Sequence, residues 1–194
     1  SSLYWIGESF SVENKLEEAI QFFQEAISNR ANNTFIDYTI YSLANTYEKI
    51  GDYVSAVTYY DELLSFYRES ELVPSAQIRI GVCYFKLKEY DSSILELNNP
   101  IIRDLPVDKQ IEALYLLANS YYRIAEYDNA AKTYLEIISK YPKNELIREV
   151  QYSLGWSYFQ QKKYNDSYKM FNHLSEGKDL IGEKSFYWKA ESRR

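Results

Sequence analysis

The stretch Ile111–Pro142, IEALYLLANSYYRIAEYDNAAKTYLEIISKYP, decides the fold. Leu114, Leu117, Ala118 and Tyr121 recur at the spacing of one helix face. After a break at Ala125-Glu126 a second stripe begins: Tyr127, Ala130, Ala131, Tyr134, Ile137 and Ile138. Tyr141-Pro142 closes it, because proline lacks the N–H that a continuing helix needs and its ring clashes with the preceding turn. The spacing predicts a helix–turn–helix hairpin, and the rest of the chain copies it.

A small residue in the middle of each first helix keeps the register: Gly7, Ala44, Gly81, Ala118 and Gly155. The steps 7 to 44, 44 to 81, 81 to 118 and 118 to 155 are each 37 residues. Every second helix opens on Leu16, Tyr53, Tyr90, Tyr127 or Tyr164. It continues with a small residue (Ala19, Ala56, Ser93, Ala130, Ser167) and a large apolar one (Phe23, Tyr60, Leu97, Tyr134, Phe171). A sixth, partial copy reads at Ala190, where Tyr187-Trp188-Lys189-Ala190 mirrors Tyr4-Trp5-Ile6-Gly7. Antiparallel helices approach closely only where side chains are small. The Gly or Ala of the first helix is therefore expected to face the Ala or Ser of the second, which offsets the roughly 1 kcal/mol a helical glycine costs against alanine. The central residue alternates Gly and Ala, and YSLANTY (Tyr41–Tyr47) returns as YLLANSY (Tyr115–Tyr121), the pattern of a two-hairpin duplication.

This pattern resembles the tetratricopeptide repeat (TPR) family over nearly the whole chain. The residues that carry the likeness are Leu114, Leu117, Ala118, Tyr121, Tyr127, Ala130, Tyr134 and Pro142, with Gly51-Asp52-Tyr53 matching the family's turn. The resemblance implies an all-α, right-handed superhelical solenoid of five hairpins plus part of a sixth, with repeats near 1–33, 34–70, 71–107, 108–144, 145–181 and 182–194. The period departs from the family's usual length of about 34. An added turn at the start of each first helix accommodates the difference, with Thr34-x-x-Asp37 as a capping box and Asn144 as another cap. YWIGES (Tyr4–Ser9) and IISKYPKN (Ile137–Asn144) look like the repeats of periplasmic TolA-binding proteins and BamD-type outer-membrane lipoproteins. That finer likeness implies a bacterial cell envelope, with the cytoplasm as the alternative.

Composition narrows the function. A net charge of −6 with pI near 5.0 provides no basic stripe for a phosphate backbone, which argues against nucleic acid. No apolar run is long enough to insert into a membrane. The chain starts inside a helix at Ser1 and stops inside one at Arg194, as a piece of a longer solenoid would. No Gly/Ser linker marks a domain boundary. In the third copy Asn98-Asn99-Pro100 falls where the second helix should continue, so that helix is expected to end near Asn98, while Pro74 suits the first turn of α-helix before it.

Nothing in the residues points to an enzyme. The lone histidine, His173, reads as a surface residue at a helix C-terminus. Cys83 occupies a place held by Ser9, Thr46, Ser120 and Ser157 in other copies, so it reads as a small buried residue. One His and one Cys are too few for a metal cluster, no glycine-rich phosphate loop implies a cofactor, and Glu17-Glu18 or Asp61-Glu62 read as solvated charge.

Binding is the better prospect. In the family the first helices line a concave groove, and the resemblance places three positions there, counted from the central small residue. Three before it stand Tyr4, Tyr41, Ile78, Tyr115, Tyr152 and Tyr187; one after it, Glu8, Asn45, Val82, Asn119, Trp156 and Glu191; four after it, Ser11, Glu48, Phe85, Tyr122, Phe159 and Arg194. From these the candidate partner-binding residues are Tyr4, Tyr41, Asn45, Phe85, Tyr115, Asn119, Tyr122, Tyr152, Trp156 and Phe159. Tyrosine brings large contact area at low entropic cost, and Asn45 or Asn119 could read both edges of a peptide amide. The same tyrosines could instead pack between neighbouring first helices. Tyr4, Tyr41 and Tyr115 replace the lysines with which some family members grip a C-terminal carboxylate. The expected function is non-catalytic capture of a protein or peptide partner. The alternative is an architectural spacer, or a segment that self-associates end to end through Phe186-Tyr187-Trp188.

Overall fold

A computed structural model describes residues 2–29 and 34–193. Ser1 and Arg194, each read above as lying inside a helix, are outside the described residues. Within those residues the chain is all helical, without a strand, and falls into two compact units, Ser1–Leu105 and Pro106–Arg194. The first holds α1 (Ser2–Val12), α2 (Leu16–Ser28), α3 (Ile36–Ile50), α4 (Tyr53–Phe66), α5 (Val73–Lys86) and α6 (Tyr90–Leu97). The second holds α7 (Val107–Arg123), α8 (Tyr127–Lys140), α9 (Ile147–Gln160), α10 (Tyr164–Leu174) and α11 (Leu180–Glu191). In each unit every helix packs on the one that follows it, so successive hairpins stack as a solenoid.

The hairpin turn is built the same way five times. Asn14, Gly51, Lys88, Ala125 and Lys162 sit at φ of 60°, 85°, 65°, 63° and 60°, all left-handed and all at the 37-residue step. In the fourth copy Ala125 N–H donates to Tyr122 O at 3.1 Å and Glu126 N–H to Tyr121 O at 2.9 Å, and the other four turns repeat this pair. This motif satisfies the carbonyls that a helix end leaves unpaired. Only Gly51 takes the conformation freely, and its neighbour Asp52 caps α4 through Ser55 N–H at 3.1 Å. The side chains at the other four positions cost about 1 kcal/mol each.

The packing of the small residue differs from expectation. A Cβ on Gly7 would lie 2.6 Å from the Phe23 ring, one on Gly81 2.6 Å from Leu97, and one on Gly155 2.9 Å from the Phe171 ring. The gap left by glycine is thus occupied by the large residue of the second helix, whereas small had been expected to face small. Serine meets the same backbone from the side, with Ser93 Oγ donating to Gly81 O at 2.8 Å. Copies with alanine in place of glycine carry tyrosine as the large residue, and its hydroxyl is anchored on the first helix. Tyr134 donates to Asn119 Oδ1 at 2.7 Å and Tyr60 to Glu48 at 3.4 Å. The Gly/Ala alternation is therefore matched by a Phe-or-Leu/Tyr alternation in the partner helix. Burial drives both phenols well above their ordinary range, so they remain neutral donors.

The residues that lengthen the period form a double turn between hairpins. Ser70 N–H donates to Tyr67 O at 2.9 Å and Val73 N–H to Ser70 O at 3.1 Å; Asn144 and Ile147 make the same bonds to Tyr141 and Asn144 at 3.1 Å. Ser70 Oγ and Asn144 Oδ1 each accept the N–H two residues on, at 3.3 and 2.9 Å. Thr34 does not cap. Helix α3 begins at Ile36 without a side-chain cap, and Asp37 instead accepts the Ser70 hydroxyl at 2.6 Å.

Helix α6 ends at Leu97, as Pro100 predicts, and a 3₁₀ turn Pro100–Asp104 follows, capped by Asn99 Oδ1 on Ile101 N–H at 3.1 Å. The curtailed helix needs new partners, and Gln77 of α5 supplies them. This buried side chain donates to Glu96 O at 3.3 Å and to the Glu96 carboxylate, and it accepts from Asn99 Nδ2 at 3.1 Å. The two compact units divide just beyond this irregular copy.

One carboxylate ties the start of α11 to α9. Asp179 accepts Arg148 Nε at 3.0 Å and Nη2 at 2.8 Å, and caps the helix through Gly182 N–H at 2.8 Å. Arg148, then the Gly182 amide, hold its carboxyl below the ordinary 3.8. A depressed carboxyl stabilises the fold above its unfolded value and loses that contribution as pH falls through the folded one. Acidification below about 3.8 is therefore expected to loosen the first turn of α11 only slightly, as loss of an exposed pair does, read as a small change in tryptophan emission. Asp179→Ala should show the same small change at neutral pH.

Candidate functional site

The predicted site residues divide between the units, and each set is described within its own. In the first unit Tyr4 is only 8% exposed; its ring stacks on Phe35 at 5.7 Å and packs edge-on against Trp5 at 4.9 Å. Most of Tyr4 is therefore spent on the core. Tyr41 stands half-buried against Tyr60, ring centroids 5.4 Å apart. Asn45 is half-buried one turn further on, and Phe85 lies edge-on to Tyr90 at 5.4 Å. Ile78, the third copy's counterpart of Tyr41, is buried. Charge intrudes here: Arg79 of α5 clasps Glu48 of α3 with both guanidinium arms, Nε to Oε2 at 2.8 Å.

The second unit carries its six predicted residues on two helices, α7 and α9. Tyr115 packs on Tyr134 at 6.1 Å and touches Ser153 Oγ of α9 at 3.5 Å. Tyr152 packs edge-on to Phe171 at 5.6 Å. These tyrosines thus rest their rings on the large residue of their own hairpin. Tyr122 meets Tyr127 at 5.2 Å and Phe159 meets Tyr164 at 5.5 Å, the same edge-on pair that Phe85 and Tyr90 make. Each pair pins the ring four past the small residue against the residue that opens the second helix. Burial raises the Tyr122 phenol, with Gln160 opposing.

Trp156 joins α9 to α11. Its ring lies 5.8 Å from Phe159, 6.3 Å from Phe171 and 4.0 Å from Trp188, and Phe159 lies 5.7 Å from Trp188. All six predicted residues here remain half-buried, with surface to spare after packing. Asn119 is less versatile than expected, because the Tyr134 hydroxyl already occupies its amide oxygen.

The sequence offered Trp188 only as part of an end-to-end contact with Phe186 and Tyr187, not as a neighbour of Trp156. The mirrored phrase at Ala190 set the sixth copy two residues out of step. Ala190 is exposed, and Ser192, one full period after Gly155, takes the buried place with its Oγ 3.0 Å from Ser167 Oγ. Strict adherence to the 37-residue step would have found it.

Among the described residues no group of three or more His, Cys, Asp or Glu could hold a metal ion, and no helix is long and apolar enough to cross a membrane. Cys83 is fully buried and its thiol is pushed up to about 11 by desolvation, which leaves it a packing residue. His173 is exposed in the last turn of α10.

Family models described as tetratricopeptide repeat match residues 1–33, 39–71 and 112–144, together about half of the sequence. The chain belongs to the tetratricopeptide repeat family. Solved structures of similar fold extend the likeness over the rest. A tetratricopeptide repeat protein from Parabacteroides merdae superposes with a TM-score of 0.78 at 19% identity, covering 98% of this chain and 71% of that one. MamA from Desulfovibrio magneticus gives 0.73 at 20% identity, covering 93% and 92%. YrrB, a TPR protein with an unusual peptide-binding site, gives 0.70 at 16% identity, covering 88% and 81%. At these identities the likeness concerns the fold, a TPR solenoid, and TPR proteins mediate protein–protein interaction.

Proposed function

We propose that this TPR chain is a non-catalytic interaction scaffold that captures a partner peptide or domain on the face of its first helices. The principal contacts are Tyr115, Asn119, Tyr122, Tyr152, Trp156 and Phe159 of the second unit; Tyr41, Asn45 and Phe85 of the first are secondary. The observation that carries this reading is the division of labour on α7 and α9. Leu117, Ala118, Val150 and Leu154 are buried, while the aromatic residues at the three groove positions stay half-exposed. Half-buried, pre-positioned aromatic rings lose little freedom on binding and present large contact area, the makings of a hot spot. The peptide-binding site of YrrB, on a similar fold, agrees with this. The likeness to TolA-binding and BamD-type repeats favours a cell-envelope setting.

Peptides selected from a displayed random library are expected to bind at about micromolar strength, near −8 kcal/mol. Trp156→Ala combined with Phe159→Ala should weaken them roughly a hundredfold or more while helicity by circular dichroism is retained. Undiminished binding by the folded double variant would move the site off this face.

A further inference from the structure

We propose that the open side of α1 docks an amphipathic, basic helix of a partner protein, one that presents the same face as this chain's own second helices. This surface belongs to the first unit and shares no residue with the aromatic face of α7 and α9.

The other first helices show what covers it. Three positions recur at five before, one before and two after the central small residue. In α3 they are Thr39, Leu43 and Thr46, all buried, and Leu43 shares one cluster with Ala19 and Phe23 of the preceding helix α2. Ile80 of α5 shares a cluster with Ala56, Tyr60 and Leu63 of α4, and Leu154 of α9 shares one with Ala130, Tyr134 and Ile137 of α8. Leu43, Ile80 and Leu154 are each 0% exposed, whereas their counterpart Ile6 is 39% exposed, with Ser2 and Ser9 exposed beside it. The covering element is in each case a helix with a small residue, a large one four positions on and a further apolar one seven on. Helices α2, α4, α8 and α10 are already packed on the helices that follow them, and α6 ends before the third position. The helix that fits α1 therefore comes from another protein.

Side-chain chemistry marks this side as an interface rather than a bare edge. The position five after the small residue is Lys49, Lys86, Arg123 and Gln160 in the later copies but Val12 in the first, where it is 85% exposed. Trp5 stands where α3, α5 and α9 carry Ser42, Arg79 and Ser153; its ring leans on Tyr4 and Phe35 yet stays exposed. Large apolar side chains grouped on one exposed helix side call for a partner. Charge sets the partner's character. Residues 2–29 hold Glu8, Glu13, Glu17, Glu18 and Glu25 against Lys15 alone, a balance of −4, and Lys15 is already paired with Glu13 at 2.7 Å. Lysine or arginine flanking the partner's apolar stripe meets this field.

The probe is a labelled peptide of residues 127–140 with Asp128→Lys and Glu136→Lys, which keeps Ala130, Tyr134 and Ile137 and adds to Lys132 and Lys140. With the full chain, a saturable rise in fluorescence anisotropy, a gain of helicity by the peptide and weakening by NaCl are expected. Ile6→Glu with Val12→Lys, both at exposed positions, should weaken binding roughly tenfold or more with the chain's own helicity kept. Trp156→Ala/Phe159→Ala should leave it unchanged. Absence of saturable binding, or binding that survives Ile6→Glu/Val12→Lys, overturns the site. Loss of binding in Trp156→Ala/Phe159→Ala instead would hand the peptide to the aromatic face and overturn the site on α1. Equal affinity for the peptide of residues 53–66, which has the same face but Asp61 and Glu62 and no lysine, overturns the basic partner. Light scattering that grows with chain concentration and is lost in Ile6→Glu/Val12→Lys would give the surface to a second copy and overturn the partner protein.

Discussion

Glu48→Ala is expected to lower the unfolding free energy of the chain by about 4 kcal/mol, a larger effect than any other single charge removal here. The Glu48 side chain is only 10% exposed and that of Arg79 29%, so both ions of this pair have shed much of their water. Arg79 spans from α5 to reach Glu48 on α3 with both arms, and the buried Tyr60 hydroxyl leans on the same carboxylate at 3.4 Å. Alanine would take this carboxylate from a half-buried guanidinium and from a buried phenol together. Removing one partner of a largely desolvated pair costs far more than the pair itself contributes. The companion double variant Glu48→Leu/Arg79→Met should therefore recover most of the loss. Urea titrations of the single and double variants measure this directly. A single variant costing under about 1 kcal/mol would mean the pair behaves as an exposed one.

How far the fold could be read beforehand depends on what kind of information each feature needs. The 37-residue register was legible because it lives in residue type alone: small, aromatic, small, large. Its physical meaning was less so. Residue types show that Gly81 is small, but the axial offset between α5 and α6 decides whether Ser93 or Leu97 fills the space above it, and offset is a tertiary quantity. The helix end at Asn98 followed from a local rule about proline. The remedy, buried Gln77 reaching from α5 to Glu96 and Asn99, was invisible because it joins residues far apart in sequence. The double turn at 67–72 and 141–146 hid for a different reason. Thr34-x-x-Asp37 has the composition of a cap, yet Asp37 serves Ser70 in the next connection. The six candidate residues on α7 and α9 came from counting along one helix face. The Trp188 contact with Trp156 was not legible because Trp188 falls at none of the counted positions and the contact depends on how α11 packs on α9.

Gly81→Val should destabilise the chain by about 3 kcal/mol. Two glycines of this protein are needed for opposite reasons. Gly51 has no atom within 4 Å of where a Cβ would stand, and only its φ of 85° requires glycine. Gly81 has ordinary helical geometry and no room: a Cβ would lie 2.6 Å from Leu97 Cγ and 2.7 Å from Cδ2. These atoms sit at the branch of a buried side chain, so they cannot swing clear without moving α6, and α6 is the short helix already cut off at Leu97. A branched side chain at 81 must therefore push the hairpin open against its weakest helix. Relief should come from the other side of the contact. Leu97→Ala alone leaves a cavity costing roughly 2–5 kcal/mol, but combined with Gly81→Val the new methyls occupy that space. The double variant should be less destabilised than the two singles added together by at least about 1 kcal/mol, as residues in direct contact require. Additive losses in denaturant titrations would show that the two side chains do not share one space, and the packing rule drawn from the glycine copies would fail with them.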